Sequence, residues 1–245
     1  MKKKYFLFIF LINFIFCYSQ DTTFAKVFYE TNNNLTSERA VDNYKLGFTI
    51  CGFRNTESMI INSDSLGNIL WANSLYQYDN QSKFEDIITT KDSCFIVSGI
   101  LESINNQKTY IICAKYNQLG DTQWVHSFDY PNNNFSFINR TRVVETKDSC
   151  YLITWSLPNN NQIMLVKLNS DGNIIWEKIH ENNNQFLVNT IQTDEDSCIY
   201  LAGSFNQNDG VLLKLNAFGN ILWAKKYDEK AFIDMVIVNN NLFLL

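Results

Sequence analysis

Acidic side chains recur at one point of a pattern that repeats along this chain, and they are the first residues whose type suits catalysis. Aligned copies of the pattern place Asp86, Arg142, Asn189 and Asp234 at one equivalent position, with Glu38 nearby in the first copy. Glycoside hydrolysis requires two carboxylates that flank one bond. Asp86, Asp234 and Glu38 are therefore the catalytic candidates. The alternative is a ring of mixed charges whose members pair with one another.

Asparagine is the second residue type that suggests a ligand. Asparagine triplets stand at 32–34, 132–134 and 182–184, between consecutive copies of the pattern, and another stands at 159–161 within a copy. Amides beside aromatic rings suit the hydroxyls and ring faces of sugars. The candidate binding residues are Asn132, Asn133, Asn134, Asn182, Asn183, Asn184, Asn159, Tyr78 and Tyr130. The alternative is that an AT-rich genome enriches loops in asparagine without any ligand.

Motifs of cofactor or metal chemistry are missing from the sequence. It contains no Gly-x-Ser-x-Gly, no phosphate-binding loop and no His-Glu-x-x-His. His126 and His180 follow tryptophans in successive copies, and no third ligand is signalled beside them. Residues 169–173 look like the start of a calcium loop, but the twelfth position is His180 rather than glutamate. We expect neither a cofactor nor a bound metal.

The cysteines beyond the N-terminal segment are predicted to be free thiols. Cys94, Cys150 and Cys198 hold one position in three copies of the pattern, so a whole structural unit separates each from the next. Cysteines whose Cα atoms lie more than about 7 Å apart cannot be bridged. Cys51 and Cys113 fall in different copies and on different strands.

The elements that position these residues are short strands arranged in a long repeat. Phe24, Trp71, Trp124, Trp176 and Trp223 follow one another at spacings of 47, 53, 52 and 47 residues, and each tryptophan stands four residues after a glycine. The segments between them are rich in Val, Ile, Thr, Tyr and Phe and are bounded by Asn, Asp, Ser and Gly, as strands and turns are. Four antiparallel strands in a repeat of this size predict an all-β propeller, with the tryptophans buried between blades.

Two further landmarks keep the same register in successive copies. Lys115, Lys167 and Lys214 each stand five residues before the turn glycine, and an Asp-Ser-Cys tripeptide precedes the second strand at 92–94, 148–150 and 196–198. Independent landmarks in register make chance similarity an unlikely explanation of the repeat.

Five blades are predicted, of which the fifth is incomplete. The first four span 38–76, 84–129, 135–181 and 186–228. Residues 24–29 match a fourth strand, and 234–238 and 242–245 match a first and a second strand. Either the two termini share the fifth blade and close a ring, or the chain is cut short from a larger propeller. The apolar last strand favours the second interpretation, because an exposed apolar edge invites association.

The segment Lys-Leu-Asn-x-x-Gly-Asn-x-x-Trp, present at 167–176 and 214–223, resembles the repeats of secreted bacterial β-propeller proteins. Many of those carry a C-terminal sorting tail for type IX secretion. The glycine-to-tryptophan turn is also similar to the docking motif of quinoprotein-like propellers. The resemblance covers nearly all of residues 24–245 and implies fold and export rather than a particular chemistry. Asp-Ser-Cys replaces the usual Asp-Gly-Gly turn, and the sorting tail is absent, which leaves the secretion route open.

The N-terminal segment predicts export. Residues 1–20 combine a basic start with an apolar stretch at 5–16, as a secretory signal peptide does. A lipoprotein anchor at Cys17 is the alternative, although the bulky residues before it argue against one. Residues 21–245 form the predicted propeller domain and carry 17 basic and 25 acidic side chains. That balance argues against nucleic acid as a partner, and no other stretch is long and apolar enough to cross a membrane.

The sequence therefore predicts an exported, non-enzymatic propeller that binds glycans or surface partners. Its predicted location is outside the cell, at the outer-membrane exterior or in the periplasm. One alternative is a glycosidase-like propeller that acts on polysaccharide through the inner acids. Another is a structural repeat segment of a larger secreted surface protein.

Overall fold

The computed structural model of this chain describes residues 35–43, 47–75, 80–103, 105, 107–129, 139–157, 161–181, 186–205, 208–228, 230–238 and 241–245. The predicted signal peptide, Cys17 and the predicted strand at 24–29 lie outside these residues.

The described residues form eighteen β-strands, named β1 to β18 in chain order. Blade one contains β1 (Leu35–Asp42), β2 (Phe48–Arg54), β3 (Glu57–Ser63) and β4 (Ile69–Leu75). Blade two contains β5 (Asn80–Thr89), β6 (Phe95–Ser103), β7 (Lys108–Tyr116) and β8 (Thr122–Phe128). Blade three contains β9 (Asn139–Glu145), β10 (Tyr151–Leu157), β11 (Gln162–Leu168) and β12 (Ile174–Glu181). Blade four contains β13 (Phe186–Thr193), β14 (Ile199–Phe205), β15 (Asp209–Leu215) and β16 (Ile221–Tyr227). Blade five contains β17 (Met235–Val238) and β18 (Asn241–Leu244).

The predicted all-β propeller of four-stranded antiparallel blades is confirmed. Each of the first four blades is a sheet of four strands in chain order, and the fifth blade has two described strands. Third strands such as β7 and β11 are buried along almost their whole length, because neighbouring blades cover both of their faces. No helix among the described residues is long and apolar enough to cross a bilayer.

The connection between the third and fourth strands is built alike in four blades. In blade two the side-chain Oδ1 of Asn117 accepts hydrogen bonds from the N–H groups of Leu119 and Asp121, both at 2.9 Å. The glycine that follows has a positive φ, +88° at Gly120, which a side chain would disfavour. The equivalent acceptors in the other blades are Asp64, Asn169 and Asn216.

These turns dock each blade on the tryptophan of the blade before it. The indole Nε1 of Trp71 donates to the carbonyl of Gln118 at 2.9 Å, and its ring lies so close to Gly120 that a Cβ there would stand 2.7 Å from Cδ2. Trp124 meets Gly172 at Cδ2 in the same way and donates to the carbonyl of Ser170 at 3.1 Å, whereas Trp176 meets Gly219 with the Cη2 edge of its ring. The equivalence of the tryptophans is thus confirmed, but they are partly rather than mostly buried.

Each inner strand of the first four blades contains one extra residue. Between Ser37 and Arg39 the pairing of β1 with β2 skips Glu38, and between Phe84 and Asp86 the pairing of β5 with β6 skips Glu85. The same irregularity occurs in β9 and β13. Bulges of this kind bend a strand and re-aim its side chains, so they decide which residues face the central channel.

A side-chain contact joins blade five to blade one. The Oδ2 atom of Asp234, directly before β17, is 3.5 Å from Nη2 of Arg39 on β1. The five inner strands therefore surround one channel. Blade five is the least covered: Phe243 is 53% exposed, whereas Ile96 and Leu152, its equivalents in blades two and three, are 0% and 1% exposed.

The five cysteines of the described residues are free thiols, in agreement with the prediction from their repeat positions. Cys51 and Cys113 are 1% and 0% exposed, and burial raises the pKa of both thiols well above the ordinary value. They act as small apolar core residues rather than nucleophiles.

Candidate functional site

The central channel brings two of the predicted acids together around one arginine. Asp86 on β5 is 4% exposed. Its Oδ1 is 3.3 Å from Nε of Arg39 in blade one, and its Oδ2 accepts a hydrogen bond of 2.9 Å from the N–H of Val143 in blade three. Groups from both neighbouring blades therefore hold this carboxylate.

Asp234 is the second acid and is bound in a similar way. Besides Arg39, its carboxylate accepts a hydrogen bond of 2.9 Å from Oγ1 of Thr190 and one of 2.8 Å from the N–H of Met235. Its side chain is 46% exposed, far more than that of Asp86. Arg39 thus contacts both candidate carboxylates at once.

Arg142 and Asn189 continue the bonds from blade to blade. The Nε atom of Arg142 donates to the carbonyl of Asn189 at 2.5 Å, and its Nη1 donates to the carbonyl of Thr141 at 2.7 Å. The amide of Asn189 donates in turn to the carbonyl of Phe232 at 2.7 Å. The inner strands are therefore tied by side chains as well as by packing.

Strand pairing corrects one member of the ring expected from sequence and identifies the member that blade one contributes. Arg39, Asp86, Arg142 and Thr190 each pair with the fourth residue of the following second strand. With Asp234 they form what we call the inner ring. Glu38 and Asn189 are instead the extra residues of their bulges, and the Glu38 side chain is exposed. A bulge leaves no mark in the hydrophobic pattern, so sequence alignment was wrong by one residue at Asn189. Glu38 was expected only near the ring and lies directly before its member Arg39.

The inner acids have unequal surroundings. Burial raises the pKa of Asp86, and Arg39, Arg142 and the N–H of Val143 act in the opposite direction. A buried acid beside a more exposed one is an arrangement from which general acid catalysis can be built. Here, however, Arg39 favours the ionised form of Asp86, and the oxygens of both carboxylates already accept hydrogen bonds from the protein. What the ring plainly does is join the blades.

A cavity of about 440 Å³ lies in the channel beside the inner ring. Its walls run from the ring toward the carboxyl ends of the inner strands and include Val41, Ile88, Val144 and Gln192. We call the end of the propeller with the first-to-second and third-to-fourth connections the turn face, and the opposite end the loop face. The cavity lies on the turn side of the inner ring.

Lysine and aspartate landmarks of the repeat meet at the turn face. Nζ of Lys115 is 2.5 Å from Oδ2 of Asp92 and 3.0 Å from the hydroxyl of Tyr151 in the next blade. Lys167 and Asp148 form the same pair at 2.7 Å. Burial opposes the charge of Lys115, but Asp92 and Tyr151 outweigh it and raise the pKa of the ammonium group. A nucleophilic lysine needs the opposite shift, so this pair is structural.

Blade four forms the lysine pair with a different acid. Lys214 lies 3.6 Å from Asp194, although the repeat register pointed to Asp196. The hydroxyl of Tyr200 also donates to the Asp194 carboxylate at 3.0 Å. In blade four the acid that pairs with lysine therefore stands two residues earlier in the repeat than in blades two and three, and the contact with lysine is retained.

Both histidines lie against the turn of the following blade. Nε2 of His180 is 2.8 Å from the carbonyl of Gly219, and burial lowers the pKa of this imidazole. His126 packs against Trp124, with ring centroids 5.3 Å apart, and lies under Gly172. Within the described ranges no group of His, Cys, Asp and Glu side chains is placed to hold a metal ion.

The asparagine-rich candidates cannot be placed. Asn132, Asn133, Asn134, Asn159, Asn182, Asn183, Asn184, Tyr78 and Tyr130 lie outside the described residues. The strands that flank them end at the loop face: β8 ends at Phe128 and β9 begins at Asn139.

Neither a protein family nor a curated protein matches the sequence. Among solved structures, exo-β-1,3-galactanase from Phanerochaete chrysosporium, determined with β-1,3-galactotriose, is similar with a TM-score of 0.56 and 11% identity over 85% of this chain and 55% of that one. This chain thus spans about half of the galactanase. A GH43 β-1,3-galactosidase with galactodeoxynojirimycin gives a TM-score of 0.53 and 9% identity over 84% and 83% of the two chains.

BBS1N in complex with ARL6DN is similar to a comparable degree. Its TM-score is 0.54 and its identity 9%, over 91% of this chain and 65% of that one. At such identities the likeness concerns the fold alone. This chain therefore has the β-propeller fold that all three of these proteins share.

Proposed function

We propose that this chain is an exported β-propeller that binds glycans on its loop face and does not cleave them. The observation that carries the proposal is the state of the inner acids. Asp86 and Asp234 both contact Arg39, and each accepts further hydrogen bonds from the protein. A hydrolase would need these carboxylates free to exchange protons with a substrate. Export rests on the signal peptide predicted for residues 1–20.

The placing of the site on the loop face follows from how the connections vary. The third-to-fourth connections of the turn face repeat one geometry in four blades. The connections of the loop face range from two residues, between β2 and β3, to ten residues, between β8 and β9. Varied loops on a rigid scaffold are where binding sites usually lie. The asparagine triplets at 132–134, 159–161 and 182–184 fall in these connections, whereas a further triplet at 239–241 falls at the connection between β17 and β18 on the turn face.

The structural neighbours support a glycan ligand in one respect: proteins of this fold have been determined with glycans or sugar analogues. The galactanase was determined with galactotriose and the galactosidase with a sugar analogue. BBS1N in its complex with ARL6DN is a precedent for a protein partner, which is the next class to test if no glycan binds.

The experiment is a glycan array probed with purified residues 21–245. We expect selective binding that weakens when Asn132 to Asn134 and Asn182 to Asn184 are replaced by serine. Asn173→Ser and Asn220→Ser serve as matched controls, because both side chains are exposed on the turn face. Unchanged binding by the loop variants would refute the choice of face, and an array without any bound glycan would refute the ligand class.

A polysaccharide hydrolase is the second candidate, and the surroundings of Asp86 favour it. Burial raises the pKa of this carboxyl, as a general acid requires, and Asp234 lies on the same arginine. Release of reducing ends from a polysaccharide, lost in both Asp86→Asn and Asp234→Asn, would establish it.

A further inference from the structure

The channel cavity contains a buried cation with a free donor. Arg142 is 6% exposed and lines the cavity of about 440 Å³. Nε and Nη1 of its guanidinium donate to the carbonyls of Asn189 and Thr141. Among the described residues, no carboxylate lies within 4 Å of Arg142, and Nη2 has no hydrogen-bond acceptor.

Arg39, in the same inner ring, is by contrast an arginine with close carboxylate partners. It contacts Asp86 at 3.3 Å and Asp234 at 3.5 Å, so two negative charges surround one positive charge. Arg142 receives only the more distant field of Asp86 and Glu85. A buried charge without a close partner costs free energy, and burial lowers the pKa of Arg142. An arginine nevertheless stays charged in proteins.

The walls around Arg142 suit a small organic molecule rather than a bare ion. Ile88 and Val144 stand two residues beyond Asp86 and Arg142 on their strands and face the same cavity, as Val41 does after Arg39. The volume is within the range of small-molecule pockets. Glu145 lies at the mouth of the cavity and points to the turn face. There its Oε2 accepts a hydrogen bond of 2.8 Å from the N–H of Lys91.

We propose that this cavity binds a small molecule bearing one carboxylate, of the size of a uronic acid, whose carboxylate accepts a hydrogen bond from Nη2 of Arg142. The apolar side chains of Ile88 and Val144 contact the carbon face of the ligand. A single negative charge fits better than a phosphate dianion, because Asp86, Asp234 and Glu145 add negative charge around the cavity. The site lies on the turn side of the inner ring, so it does not depend on the loop-face site proposed above.

The test is titration calorimetry of purified residues 21–245 with glucuronate and, for comparison, glucose. Glucuronate should bind, and glucose should bind at least about tenfold more weakly, the loss expected for one charge-assisted hydrogen bond. Arg142→Gln should weaken glucuronate binding by a similar factor. Arg140→Gln is the matched control, because Arg140 is on the same strand and exposed; it should bind like the wild type.

A second variant covers the case in which Arg142→Gln does not fold. Val144→Phe fills the cavity beside Arg142 without removing any of its hydrogen bonds and should also abolish binding. Equal affinities for glucose and glucuronate, no binding of glucuronate by the wild type, or wild-type affinity in either variant would overturn the proposal.

Discussion

Replacement of Arg39 by leucine should destabilise the fold, because Arg39 is the side chain that binds both inner acids. Asp86 is 4% exposed and would keep only hydrogen bonds from backbone N–H groups. Removing one partner of a buried ion pair costs about 3–5 kcal/mol. The Arg39 side chain is 35% exposed, so solvent already screens part of the pair and we expect a loss of about 2–3 kcal/mol.

Urea unfolding at pH 7, followed by tryptophan fluorescence, measures this loss. The control is Arg54→Leu, which removes a pair with Glu57 at 3.2 Å on a half-exposed hairpin and should cost less than about 1 kcal/mol. In Arg39→Leu/Asp86→Asn the buried charge is gone, so at least half of the stability should return.

The pH dependence gives a second check on the same variant. Burial raises the pKa of Asp86 in the folded state, and loss of Arg39 raises it further. A group whose folded pKa lies above its unfolded value stabilises the fold at low pH and loses this effect as the pH rises. The deficit of Arg39→Leu should therefore shrink as the pH falls below 7. A variant within about 0.5 kcal/mol of the wild type at pH 7, or a deficit that grows in acid, would refute the role given to Arg39.

Three further predictions concern the repeat. Gly120→Ala places a Cβ 2.7 Å from Trp71 at a φ of +88° and should lower the free energy of unfolding in urea by about 2–4 kcal/mol. The control Leu119→Ala, at a side chain 70% exposed, should lower it by less than about 0.5 kcal/mol. Equal losses would contradict the docking of blades through this glycine. Burial raises the pKa of Asp148, but the ion pair with Lys167 outweighs burial and lowers this pKa from 3.8 to about 2. The pair therefore stabilises the fold above pH 4, and this stabilisation is lost as the pH falls toward 2. The difference in melting temperature between the wild type and Asp148→Asn should shrink over that interval, and a constant difference would argue against the pair. Thiol titration of denatured, unreduced residues 21–245 should count five free thiols, and a count of three would reveal a disulfide.

The fold was readable from sequence because its signals repeat. A glycine four residues before each of Trp71, Trp124, Trp176 and Trp223 defines both a turn and the residue that packs beneath the next turn. Four copies in register predict four complete blades and the order of the strands within each. The exposure of the tryptophans was less predictable. Each indole lies at the outer edge of its blade, and Trp71, Trp124 and Trp176 are covered on one side by the turn of the following blade.

The site was predicted only in part because the inner strands contain bulges. The alignment placed Asp86, Arg142 and Asp234 correctly in the inner ring. Asp86 and Arg142 each stand nine residues before the second strand, whereas Asp234 stands seven residues before β18 and belongs to the ring by its contacts with Arg39 and Thr190. It put Asn189 where Thr190 lies, and in the first copy it named Glu38 as nearby without identifying Arg39 as the ring member. One extra residue per inner strand decides which side chain faces the channel. The side chain that faces the channel and the one in the bulge are both polar, so residue type does not show which is which.

The central claim, that the propeller binds a glycan and leaves it intact, is tested most directly on one sample. Purified residues 21–245 are incubated with the glycan bound most tightly on the array, and the bound glycan and the released reducing ends are measured together. The account predicts saturable binding while the reducing ends remain at the level of buffer alone. Release of reducing ends that disappears in Asp86→Asn would contradict it.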